Sequence, residues 1–240
     1  MPFSTIYKVG VKDMLDISVS RQATVATVLT GMRHDILLGK YENMKQISEL
    51  EVAQKYQVSR SSVRSAFQIL ERDGLLEAQP NGRKVLKKID QKYIKDLCKT
   101  RSILECEAVQ LILQQEKNDF SQLLHIVGQF YSVKQIDDKE EQRNRVVQLN
   151  DDFHDRLFEM AGNCALSQCH YTLKPMVSSI MGINATLDLN MNEHDYYDSH
   201  HRITELLMAK DESVIEYIRY HTAVATMKDA LIALNTLRNQ

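Results

Sequence analysis

Two sets of side chains in this 240-residue sequence have the types and spacing to do chemistry. One is a group of imidazoles and an amide in the second half. Asn150 and His154 stand four residues apart, so on a helix they project from one face. His221 and one of the adjacent pair His200 and His201 lie on later segments of helical pattern, and only one of that pair can point inward. A helical bundle gathers such side chains from facing helices. Three imidazoles and one oxygen suit zinc, nickel or a similar divalent ion, with room for a ligand carboxylate to complete the shell. Arg101 belongs with this group in one of two ways. It pairs with Glu105 on its own helix, or it reaches the pocket and grips an anion through its planar fork.

The other set is cationic. On a helix beginning after Ser59, residues Val63, Phe67 and Leu70 share one face, while Arg60, Ser61, Arg64, Ser65 and Gln68 share the opposite one. Two guanidinium groups one turn apart among short polar side chains suit the major groove of a duplex. There an arginine pairs with guanine O6 and N7 and hydroxyls reach phosphates or base edges. Arg83 and Lys84 follow Gly82 in a predicted hairpin, where cations reach phosphate or the minor groove.

The elements that must hold these residues are legible from periodicity and breakers. Arg21–Leu38 reads as an amphipathic helix, ending near Gly39. Ser48–Tyr56 reads as another, with Ser48 and Glu51 spaced as a capping box. Gln57-Val58 is a tight connection. A helix capped by Ser59 runs through Arg72 and stops at Asp73-Gly74. Strands Leu75–Ala78 and Arg83–Lys88 flank the turn Gln79-Pro80-Asn81-Gly82, with Asn-Gly as its signal. From Tyr93 onward the period is 3.6, with helices expected at 93–115, 119–136, 139–161, 165–187, 195–208 and 211–237 and a kink or interruption at Pro175. The expected fold is mainly α: residues 1–20 an N-terminal extension, 21–90 a winged helix-turn-helix, and 91–240 an all-α antiparallel helical bundle.

Charge follows this division. The net charge of -2 hides a segment 21–90 with 12 basic and 8 acidic residues, followed by 91–240 with 16 basic and 22 acidic. A basic module before an acidic one fits nucleic-acid binding followed by regulation. There is no run of eighteen apolar residues and no continuous apolar stretch near the start, so neither a membrane span nor a secretory signal is expected. Cys98, Cys106, Cys164 and Cys169 lack paired spacing and read as mostly buried thiols of a cytoplasmic protein.

The stretch "SELEVAQKYQVSRSSVRSAFQILERDGLLEAQPNGRKV" resembles the DNA-binding domain of the GntR family, whose pattern is met at Val58-Ser59-Arg60, Val63-Arg64, Leu70-Glu71 and Gly74-Leu75. By that resemblance Arg60, Ser61, Ser62 and Arg64, with Gly82, Arg83 and Lys84 in the wing, would touch DNA. Three residues depart from the pattern. Gln57 replaces the usual turn glycine and so has to accept a positive φ, Ser62 replaces a frequent proline, and Leu50 stands where some members carry an arginine.

The remainder resembles the FadR-type effector domain, often called FCD, through Arg101-x-x-Leu104-Glu105, "LNDDFHDRLFEMAGN" and "SHHRITELLMAKDE" followed by "RYHTAV". The resemblance favours His200 over His201, because Ile203 and Asp211 then fall at family distances. It implies Asn150, His154, His200 and His221 as metal ligands and Arg101 as an effector contact. Metal-binding members usually carry aspartate where Asn150 stands, Asp151 offers a substitute, and His221 arrives about one residue early. The implied protein is a homodimeric, ligand-responsive repressor of operator DNA, not an enzyme, whose effector is a small carboxylate. A metal-free pocket of acyl-CoA type is the alternative. A metal-dependent hydrolase is disfavoured, since no carboxylate is placed as a general base.

Overall fold

The computed structural model describes residues 11–37, 40–41, 46–80, 83–86, 89–133, 135–186 and 193–238. The chain divides into two compact units, residues 1–36 with 40–88, and residues 37–39 with 89–240.

In the first unit α1 spans Val11–Leu37, α2 Glu49–Tyr56 and α3 Arg60–Arg72, followed by β1 at Leu76–Ala78 and β2 at Lys84–Leu86. Helix α1 begins ten residues before the expected Arg21, because nothing between Val11 and Gly31 breaks a helix. Ser48 caps α2 by accepting from the Leu50 N–H, one residue nearer than a capping box requires. Gln57 ends α2 with φ 54 and ψ 43, and Val58 N–H bonds back to the Ala53 carbonyl. The positive φ expected of this non-glycine is thus present. Ser59 caps α3 by accepting from the Ser62 N–H, and Gly74, at φ 72, makes the turn into β1. Strands β1 and β2 pair antiparallel with Glu77 opposite Val85. The core holds Val28, Met32 and Ile36 of α1, Val52 of α2, and Val63, Ala66, Phe67 and Leu70 of α3.

Polar ties set the helix angles. Asp35 on α1 is 4% exposed and accepts from Tyr56 Oη at 2.6 Å, from Lys40 Nζ at 2.9 Å and from Lys55 of α2. Gly31 leaves room for the Tyr56 ring, which a Cβ there would meet at 2.4 Å. Arg33 bonds Asp73 at the end of α3 at 2.6 Å.

The second unit is a helical bundle of α4 (Gln91–Gln114), α5 (Ser121–Val133), α6 (Lys139–Ala161), α7 (Cys164–Thr186), α8 (Glu193–Met208), α9 (Ser213–Arg219) and α10 (Thr226–Arg238), with a π-helical segment, Tyr220–Ala225, between the last two. Asp90 and Asp138 cap α4 and α6, and Gly162, at φ 68, ends α6 two residues before α7 begins. One buried cluster joins Val109 and Ile112 of α4, Leu123 of α5, Phe153 and Leu157 of α6, Ile203 and Leu207 of α8, and Val214 and Ile218 of α9. Helix α7 continues through Pro175, so of the two expected effects it is not interrupted there. Cys98 and Cys106 are buried, but Cys164 and Cys169 are exposed, contrary to the expectation of mostly buried thiols.

Candidate functional site

The first unit presents the outer face of α3. Arg60, Ser61, Arg64 and Gln68 are exposed, while Val63, Ala66, Phe67 and Leu70 fill the core. Arg64 is not a bare cation: its Nε and Nη2 grip the two carboxylate oxygens of Glu49 at 3.1 and 2.9 Å. Arg60 Nη2 lies 3.6 Å from the same carboxylate, and the Arg64 fork leads the effects that lower its pKa. Sequence reasoning missed Glu49, an N-terminal residue of α2 that holds both guanidinium groups at one edge of α3.

One of the expected DNA contacts is placed otherwise. Ser62 is 4% exposed, and its hydroxyl lies 2.9 Å from Ser59 Oγ, so it closes the helix start and does not face outward. The signal was available, because Ser62, Ala66 and Leu70 form one i, i+4 stripe of the buried face. Lys84 pairs with Glu71 of α3 and so ties the wing to the helix. Arg83 is exposed, and Gly82 lies outside the described residues.

In the second unit three imidazoles converge. His154 of α6, His200 of α8 and His221 of the π segment place ligand atoms within 4.8 Å of one another. His200 is fully buried, whereas His201 is partly exposed beside Glu205. The Phe130 ring stacks on His200 at 5.0 Å and Phe153 meets it edge-on at 4.6 Å, which fixes that ring by packing. Around a tetrahedral zinc with bonds of about 2.0–2.1 Å, neighbouring donors stand about 3.3 Å apart, so closure needs only small side-chain movements. The His154 Nε2 atom is fully buried and has no hydrogen-bond partner, an orphan that a cation would satisfy. Burial lowers the His154 pKa, and burial with the neighbouring His200 lowers that of His221 well below the usual value. Neutral imidazoles are the form that ligates. The donor set therefore fits a divalent ion.

Behind His154 sits Glu105 of α4, fully buried. Its Oε2 lies 2.8 Å from His154 Nδ1, a contact at ion-pair distance but bent away from good hydrogen-bond geometry. Its Oε1 accepts from Arg101 Nε at 2.6 Å. Burial pushes the Glu105 carboxyl up, but Arg101 and His154 together hold it well below the usual range. Arg101, 4% exposed, pairs through Nε with its i+4 neighbour, and it also lines a small cavity with Asn150 and His154. Glu105 was legible only as that neighbour, not as the partner of His154.

Asn150, one turn before His154, is 2% exposed and lines a cavity of about 410 Å³. His221, Asn184, Ser199, Tyr217 and Lys228 also line it. Asp151 is engaged by Ser178 Oγ of α7 at 2.5 Å and stands outside the imidazole cluster. His170 pairs with Asp155 at 2.7 Å and stacks on Phe158, a structural role. His125 contacts Gln129, and the side chain of His194 lies outside the described residues.

Comparison with known proteins gives a consistent result. Residues 24–85 match the family described as bacterial regulatory proteins, gntR family, and residues 96–223 match the FCD domain. The chain is 25% identical over 187 residues to the HTH-type transcriptional regulator YdhC of Bacillus subtilis, covering 78% of this chain and 82% of that protein. It is 29% identical over 140 residues to the HTH-type transcriptional repressor RspR of Escherichia coli, covering 57% and 58%. It is 22% identical over 200 residues to the gluconate operon transcriptional repressor of B. subtilis, covering 82% and 81%. Among solved structures, a GntR transcriptional regulator from Rhodococcus sp. RHA1 aligns with a TM-score of 0.59 at 18% identity, over 86% of this chain and 97% of that one. At that identity the structural likeness speaks for the fold. No described helix is long and apolar enough to cross a membrane.

Proposed function

We propose that this chain, which belongs to the gntR family of bacterial regulatory proteins and carries an FCD domain, is a repressor released from its operator by a small organic acid bound beside a divalent metal. That it is a DNA-binding transcription regulator follows from the family. The metal, the acid and the direction of control are the further reading. The observation that carries it is the buried cluster of His154, His200 and His221 beside a cavity of about 410 Å³.

His154, His200 and His221 would hold the ion, with Asn150 Oδ1 the nearest additional oxygen donor on the same helical face. Bound there, zinc or nickel would supply a positive point for a carboxylate oxygen. Glu105 keeps a negative charge against His154 Nδ1, which directs the Nε2 lone pair toward the cluster and strengthens it as a donor. Arg101 keeps Glu105 ionised in a buried place. The cavity is near the lower end for ligand pockets, which supports a small acid over a coenzyme A thioester.

In the DNA-binding unit Arg60, Ser61 and Arg64 meet the major groove, with Arg83 and Gly82 at the wing. Two chains pair so that two α3 helices reach half-sites about one helical turn apart. The acid shifts the equilibrium only through a difference in its affinity for the DNA-competent and incompetent arrangements. Glu105 is taken by Arg101 and His154, Asp198 and Asp229 line the cavity beside His221, and it is the regulator family that supports reading the site as a sensor.

Metal titration of the purified full chain tests the reading. One zinc or nickel per chain is expected, with uptake lost in His154→Ala while duplex binding is kept. Protein that takes up no metal from a replete buffer would overturn the metal reading and favour a metal-free pocket.

A further inference from the structure

The outer face of the DNA-binding unit carries an acid as well as cations. Glu49 of α2 takes the Arg64 guanidinium side-on, with Nε 3.1 Å from one carboxylate oxygen and Nη2 2.9 Å from the other. Arg60 Nη2 stands 3.6 Å from the second oxygen. A negative charge beside cations meant for a duplex weakens their pull, so its presence calls for a reason. Stabilising the helix start is not enough, because Glu51 already gives the same first turn an acidic residue. The shape of the pairing supplies the reason. A guanidinium has five N–H bonds in one fixed plane. The Nε–H and one Nη2–H point to Glu49, so the other Nη2–H and an Nη1–H form a second parallel pair on another edge. The Arg64 side chain is 61% exposed, and among the described residues none accepts from that second pair.

We infer that Glu49 is a positioning residue for base recognition: it holds one edge of the Arg64 fork so that the other is presented to guanine O6 and N7 in the major groove. The inference rests on the seating of α3 in that groove and adds a part for α2. Guanine is the match because its O6 and N7 are two acceptors side by side, spaced for a bidentate arginine. A freely rotating arginine meets phosphate oxygens at any sequence just as readily. Held from α2, the fork gives up less freedom on meeting the base, which favours the specific complex alone. Glu49 does not itself read a base in this arrangement, since both of its oxygens already accept from Arg64. Its charge repels phosphates in every complex, specific or not. Glu49 therefore lowers affinity for duplexes in general and raises selectivity among them.

Duplex binding by the full chain at fixed salt tests this with three probes. They are a duplex selected from a random library, the same duplex altered at the position whose preference Arg64→Ala relaxes, and an unrelated duplex. That position is expected to hold guanine. Glu49→Ala is expected to lower discrimination there by about three- to ten-fold, while the unrelated duplex binds as tightly as before or tighter. Added to Arg64→Ala, it is expected to change discrimination no further. Glu51→Ala removes the same charge from the same helix turn and is expected to leave discrimination as in the wild type. Glu49→Gln keeps the size of the side chain but sets an amide N–H against the fork, so it is expected to show the same loss and carries the test if Glu49→Ala does not fold. A base other than guanine, unchanged discrimination in a folded Glu49 variant, or preference lost at a different position would overturn the inference. So would an equal fall on all three duplexes, which marks a purely structural part in α2. A chain with no preference among duplexes would instead overturn the seating of α3, and the inference with it.

Discussion

Replacing Glu105 by leucine should be one of the most damaging single changes in the second unit, and the damage should be largely reversible by a second change. The guanidinium of Arg101 is 4% exposed and its Nε hydrogen bond goes to Glu105 at 2.6 Å. Glu105→Leu leaves that cation buried without its counter-ion, a change that typically costs about 3–5 kcal/mol. For a domain of this size each kcal/mol moves Tm by about 2–4 °C, so a drop of roughly 6–20 °C is expected by calorimetry. Replacing the pair together, Arg101→Met with Glu105→Leu, removes both charges and should recover more than half of the loss. Recovery stays incomplete, because His154 Nδ1 still lacks the carboxylate it faces at 2.8 Å. Metal affinity separates the two roles of Glu105. It should fall about 10–100-fold in both variants, since neither restores the group behind His154. A single variant melting within about 2 °C of the wild type, or a double variant no better than the single, would refute this account of the buried pair.

Other consequences are simpler to check. Arg64→Ala should weaken binding to a duplex selected from a random library by about ten-fold or more and relax preference at one base position, read by mobility shift at fixed salt. Asp35 has its pKa lowered to about 2, since Lys55, Tyr56 and Lys40 outweigh the upward push of burial. A lowered folded pKa gives stability that is complete above the unfolded value near 3.8 and lost as pH falls toward 2. Asp35→Asn should therefore cost roughly 2 kcal/mol at pH 6 and much less at pH 2, measured by amide exchange in α2; an equal gap at both pH values would count against it. Gly74→Ala meets open space, so only the φ of 72 opposes it, and denaturant titration should find a loss of about 1 kcal/mol.

The DNA-binding half was legible because its signals are local. Ser59 as a cap, Gly74 as a left-handed stop and the outward Arg60 and Arg64 each depend on a few neighbouring residues. Ser62 was misplaced where one-residue resolution of a helical face mattered, and the Glu71 partner of Lys84 was not seen because it lies on another element. In the second half the imidazoles were found by spacing and resemblance, since histidines are few and polar. Glu105 was not, because its meaning comes from which helices pack together. Glu105 looks like half of an ordinary i, i+4 pair until α6 brings His154 against it. The early arrival of His221 was visible as an irregularity, but no residue type marks the wider turn that the chain makes there.

That turn changes how the end of the chain must be counted. From Ser213 to Arg238 the backbone looks like one long rod, yet Tyr220–Ala225 winds with i to i+5 bonds, as when Thr226 N–H reaches back to the His221 carbonyl. A single additional residue in a turn rotates everything downstream by about 100° about the axis. The faces of α9 and α10 therefore belong to two different phases, and Val214 and Ile218 cannot be extrapolated to find Ala230, Ala233 and Leu234, which are nonetheless buried. Shortening the segment by one residue would regularise the rod and, in doing so, swing that second apolar stripe out of the bundle.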